Sequence, residues 1–178
     1  MLTQIFIICL VLKHIPYSFF GFRLKKKEFI FLLKGYTAII PLSLLGLILN
    51  KIITDKMGLQ YLPNPALELF FSLENNLYLV LLIIEIVVLA PLAEELFFRG
   101  FLYKLVRQRY GFLVSALFVS VLFSFIHRTP QGIIPLFILS VCICYVYEKI
   151  QDISAPIIFH SIHNLINLIL LLMVKNLF

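Results

Sequence analysis

The chain has 178 residues, 62% of them hydrophobic and 13% charged, with a mean hydropathy of +1.05 and a formal net charge of +6. That balance excludes an ordinary soluble domain and points to a multi-pass membrane protein. The basic residues cluster beside the apolar runs, so the positive charge reads as a topology signal and no nucleic-acid partner is expected.

Apolar runs long enough to cross a bilayer are expected near 28–50, 76–98, 111–127, 132–148 and 155–174, with a shorter one near 2–20. The predicted fold is all-α: a polytopic membrane helical bundle of about six transmembrane helices with a four-helix catalytic core. The first run is interrupted by Lys13, His14 and Pro16 and lacks a small-residue cleavage site, which reads as an uncleaved anchor or a re-entrant helix. Lys25, Lys26 and Lys27 follow it, Lys104, Arg107 and Arg109 follow the third run, and Lys149 follows the fifth. By alternation all lie on one side, which the positive-inside rule makes cytoplasmic, and both termini then face outward.

The longest polar interval, Lys51 to Asn76, holds Pro63, Pro65 and a mildly amphipathic piece, Ala66 to Leu73, suited to the outer interface. It separates N-terminal membrane helices (1–60) from a region (76–178) that carries every motif of interest. Cys9, Cys142 and Cys144 have no spacing of a zinc site or disulfide framework and read as packing residues. The 18 phenylalanines read as core and lipid-facing bulk.

Three motifs interrupt the apolar runs: Glu94-Glu95-Leu96-Phe97-Phe98-Arg99, Phe123-Ser124-Phe125-Ile126-His127, and His160-Ser161-Ile162-His163-Asn164. Ionisable groups at membrane depth are costly and mark function. Glu94 lies 17 residues before Gly111 and His127 lies 16 after it. At about 1.5 Å per residue both stand about 25 Å from a turn at Gly111, so an antiparallel hairpin brings them to one level.

Glu95 and Arg99 are four apart and share a helical face, where they can neutralise each other. Glu94 points about 100° away, and a neighbouring carboxylate and low-dielectric surroundings suit it to general-base work. His160 and Asn164, also four apart, project from one face of the last helix. They suit either two donors for the oxyanion of a tetrahedral intermediate, or a metal ligand with its orienting neighbour. Phe123, one turn before His127, is expected to pack over the imidazole.

Each motif alone has a plainer reading, as a neutralised ion pair or a satisfied core histidine; an acid pair and two histidines that meet at one place argue for a site. His163 falls on a different face from His160 and is expected only to line the helix interface. Glu85, in the third run, is a second functional carboxylate or a structural one. The basic-side rule predicts cytoplasmic access to the site, whereas Arg128 and Pro130 place His127 near the outer turn.

In order, Glu-Glu-x-x-x-Arg-Gly, Phe-x-x-x-His and His-x-x-x-Asn over roughly 76–170 resemble the CPBP (CAAX protease and bacteriocin-processing, or Abi) family of intramembrane endopeptidases, related to the type II CAAX prenyl proteases. The resemblance implies that Glu94 and His127 activate the attacking water and that His160 and Asn164 stabilise the oxyanion. Glu95 and Arg99 match the remaining motif positions, and Gly100 the glycine that commonly follows. It also implies a bacterial cytoplasmic-membrane location and a membrane-associated peptide or protein substrate, with leader peptides, bacteriocins and pheromone precursors all compatible.

No cofactor is expected, because Asn164 suits an oxyanion donor better than a zinc ligand and there is no His-x-x-x-His pair. The alternative is zinc held by Glu94, His127 and His160. Two further functions compete: a non-catalytic bacteriocin-immunity or assembly factor of the same fold, and a small transporter or proton relay, against which stands the lack of an inverted repeat.

Overall fold

The computed structural model describes residue 13 and residues 24–59, 65–72 and 76–175. The run near 2–20, with Cys9 and His14, lies outside them. Among the described residues there is no strand, and the all-α membrane bundle is as expected. Six helices follow in order: α1 (Lys26–Lys56), α2 (Pro65–Ser72), α3 (Leu77–Arg107), α4 (Phe112–Ile126), α5 (Ile133–Ile150, entered through a 3-10 turn at Pro130–Gly132) and α6 (Ser154–Lys175).

Among the described residues four spans, in α1, α3, α5 and α6, are long and apolar enough to cross a membrane. The fourth helix, capped by Gly111 and His127, fills the expected run 111–127. Its 15 residues give about 22 Å, against a hydrocarbon core of about 30 Å. It stops because Arg128 takes a left-handed conformation (φ 52°) and Thr129 precedes a proline, which disfavours continued helix. The other end is set as expected by Gly111, whose extended backbone begins α4 and whose carbonyl accepts from Ser115 Oγ at 3.0 Å.

The basic clusters do gather at one end. Leu24, ahead of α1, packs in the same cluster as Ile150 at the end of α5, and Arg107 pairs with Glu148 at 2.8 Å. From that end α1 climbs against α5, and Gly46 allows the closest approach: a Cβ there would lie 3.5 Å from the Pro135 backbone and 2.7 Å from Ile138 Cδ1. Just beyond, buried Asn50 ties the turn that follows His127. Its Nδ2 donates to the Pro130 carbonyl at 2.9 Å and its Oδ1 accepts from the Ile134 N–H at 3.0 Å.

The third helix runs farther than 76–98, carrying Glu94–Arg99 well inside it, and it is not a uniform α-helix. Two π-helical stretches, Glu85–Leu89 and Leu96–Tyr103, flank the α-helical turn Ala90–Glu95. Pro91 gives the physical reason for the first. In the π pattern the Ala90 N–H reaches the Glu85 carbonyl, and the next donor, due at the Ile86 carbonyl, falls on Pro91, which has none.

Replacing Asn50 by leucine keeps the bulk but orphans the Pro130 carbonyl and the Ile134 amide, each at a cost of about 1–3 kcal/mol. The Asn50→Leu protein is expected to unfold at a clearly lower temperature in detergent; an unchanged midpoint would show that this tie does not hold the turn.

Candidate active site

Glu95 turns into the bundle and is fully buried, and its Oε1 serves two partners. Arg99 Nη1 donates to it at 2.8 Å, and His160 Nδ1 lies 2.8 Å from it. Arg99, also fully buried, reaches on to α5, where Nη2 donates to the Ser140 carbonyl at 3.0 Å and to Ser140 Oγ at 2.6 Å. A chain Ser140–Arg99–Glu95–His160 therefore joins α5, α3 and α6. The expected i,i+4 pair is present, and it does more than neutralise itself: it aims a histidine.

Glu94 stands on the neighbouring face, 27% exposed. Its Oε2 lies 3.8 Å from His127 Nε2 and 4.0 Å from His160 Nε2, so the hairpin arithmetic that levels Glu94 with His127 holds. His127 Nδ1 lies 2.7 Å from the Phe123 carbonyl, which can only accept; the ring proton is therefore on Nδ1 and Nε2 offers a lone pair toward Glu94. Phe123, fully buried, packs against the His127 ring at 4.6 Å between centroids, as expected. It also meets His160 at 5.8 Å and lies 5.1 Å beneath the Arg99 guanidinium carbon.

Asn164 also reaches the site, through a bond that sequence reasoning does not reveal. Its Nδ2 donates at 2.8 Å to the Ile86 carbonyl, the acceptor that Pro91 leaves without a helical partner. One amide hydrogen is anchored, and the other hydrogen and the carbonyl oxygen of Asn164 remain for the cavity.

Glu94, His127, His160 and Asn164 all line a cavity of about 560 Å³. Its walls come from α3 (Ile86, Ala90), α6 (His163, Asn167, Leu168, Leu171), the turn after His127 (Thr129), α5 (Leu136, Leu139) and α2 (Phe70). On α3 and α6 these residues run from the Glu94 level away from the basic end. His163 does more than line an interface: it borders the cavity and bonds to Tyr36 and Asn167. Glu85 does not line it. Ser140, Tyr36 and Asn167 have no place in the sequence motifs, although Asn167 repeats the His-x-x-x-Asn spacing from His163.

Glu94, His127 and His160 are the candidate zinc ligands. Three ligands of one tetrahedral zinc, at about 2.0–2.1 Å each, stand about 3.3 Å apart. The separations of 3.8 and 4.0 Å are wider, and among the described residues no group of three or more His, Cys, Asp or Glu side chains is placed to hold a metal ion.

Residues 76–166, just over half of the chain, match the family described as type II CAAX prenyl endopeptidase Rce1-like. The chain belongs to this family. It is thus a membrane protein of a CAAX-type intramembrane protease family, and peptidase activity is the family-level assignment. No curated protein and no solved structure matches the chain. The family match begins at α3, so α1 and α2 lie outside it.

Removing one partner from the buried pair leaves a charge without compensation, at a cost of about 3–5 kcal/mol. Arg99→Met is therefore expected to lower the unfolding midpoint strongly, and adding Glu95→Leu to it to restore much of the loss. A single variant as stable as the native protein would remove the pair from its structural role.

Proposed function

We propose that the protein is an intramembrane endopeptidase that hydrolyses a peptide bond of a membrane-associated substrate by a metal-free, glutamate-dependent mechanism. The observation that carries this is that His127 Nε2 and His160 Nε2 each lie within 4.0 Å of Glu94 Oε2 on the wall of a cavity, in a chain of the CAAX endopeptidase family.

At 3.8 Å apart, Glu94 Oε2 and His127 Nε2 are spaced for one water to donate to both. That water attacks the scissile carbonyl and Glu94 takes its proton. Negative charge moves to the carbonyl oxygen, which meets His160 Nε2–H and the free amide hydrogen of Asn164. For His160 to donate from Nε2 while Nδ1 donates to Glu95, the ring carries both protons, and the Glu95 carboxylate at 2.8 Å is its counter-charge. Collapse of the tetrahedral intermediate breaks the C–N bond, and Glu94 returns its proton to the leaving amine. The Ser140–Arg99 bonds hold Glu95, and Phe123 holds both rings.

The proposed location is the bacterial cytoplasmic membrane, with a peptide or protein substrate seated at the bilayer. The test compares peptide termini, by mass spectrometry, in cells expressing the native chain or Glu94→Gln at matched membrane levels. Termini formed only with the native chain are expected, and purified native protein is expected to cleave the same sites undiminished by a chelator. Identical termini would leave a non-catalytic binding role, and loss of cleavage to the chelator would reinstate zinc.

A further inference from the structure

The last helix carries the His-x-x-x-Asn spacing twice: as His160 with Asn164, and three residues on as His163 with Asn167. The hydrolytic steps use only the first pair, yet both members of the second line the same cavity. Three residues of helix rotate by about 300° and rise about 4.5 Å, so the second pair sits beside the first and farther from the basic end.

Its hydrogen bonds have a direction. Asn167 Nδ2 donates to His163 Nε2 at 2.9 Å, which places the ring proton on Nδ1, facing Tyr36 Oη at 3.3 Å. Tyr36 is buried on α1 and held edge-on by Phe159 and His163, with centroids at 5.6 and 6.1 Å. The ordering of this pair thus comes from a helix outside the family match. The remaining amide hydrogen and the carbonyl oxygen of Asn167 have no other partner among the described residues.

A peptide drawn into a cavity at this depth leaves water behind, and each of its N–H and C=O groups then needs a protein partner. One donor and one acceptor side by side on a primary amide match the N–H and C=O of one residue in an extended chain, which point to the same side; a carboxylate would want two donors. We propose that Asn167 binds the main chain of the substrate, pairing with the N–H and C=O of one extended residue, while His163 and Tyr36 position its amide. This inference rests on the peptidase reading above. Asn167 lies seven residues beyond His160, a rise of about 10.5 Å, and an extended chain advances about 3.3 Å per residue. The residue it meets is therefore about three positions from the scissile carbonyl.

The test takes a peptide spanning a site cleaved by the native chain and not by Glu94→Gln. It is synthesised with its normal backbone and, one position at a time, with an ester replacing the peptide link two to four residues to either side of the scissile bond. Asn167→Leu removes both hydrogen bonds and is expected to raise KM by about ten- to a hundredfold, with little change in kcat. Tyr36→Phe, which removes only a hydroxyl and so guards against a folding defect, should shift KM in the same direction by less. One ester position should lower kcat/KM about tenfold for the native protein and leave Asn167→Leu unaffected. A native KM in Asn167→Leu, or equal ester effects in both proteins, overturns the inference alone. Identical termini from the native and Glu94→Gln chains overturn the peptidase reading, and this inference with it.

Discussion

Everything at the centre of this bundle depends on the buried pair of Arg99 with Glu95. Two charges taken out of water need each other and further polar partners; among the described residues Glu95 Oε2 and Arg99 Nε make no hydrogen bond, and the bonds that are made organise the site. Arg99 spends one nitrogen on Glu95 and another on Ser140, which locks α3 against α5. Glu95 spends the same oxygen on Arg99 and on His160, which sets the ring of α6. A network of this kind has one register, because sliding any helix by a turn breaks a bond at membrane depth. The ion pair thus converts a set of oily helices, which pack against one another with little discrimination, into a single arrangement.

A second device acts through the backbone. Pro91 denies the Ile86 carbonyl a donor within α3, and the Asn164 amide supplies one from α6. The defect in one helix becomes a docking point for another and orients the amide opposite Glu94. Stretches of π-helix are common where a helix must present a functional group, and the two in α3 bracket the Glu94–Glu95 turn.

Much of this was legible in the residues, because helical spacing is arithmetic. Counting from Gly111 levels Glu94 with His127, and i,i+4 spacing pairs Glu95 with Arg99 and aligns His160 with Asn164. What spacing does not carry is the partner across helices. Ser140 is one serine in an apolar run, and nothing nearby shows that it receives Arg99. The bond from Asn164 depends on a π register, which depends on how Pro91 is accommodated. Tyr36 reads as one aromatic among many until α1 is packed beside α6.

That short fourth helix has a consequence for the bilayer itself. A helix about 8 Å shorter than the hydrocarbon core draws the lipid surface inward, or lets headgroups and water descend to meet its end. That helix ends at His127, which lines the cavity. On the peptidase reading proposed above, a surface drawn inward there would shorten the path of water and of a headgroup-adsorbed peptide to the depth of Glu94.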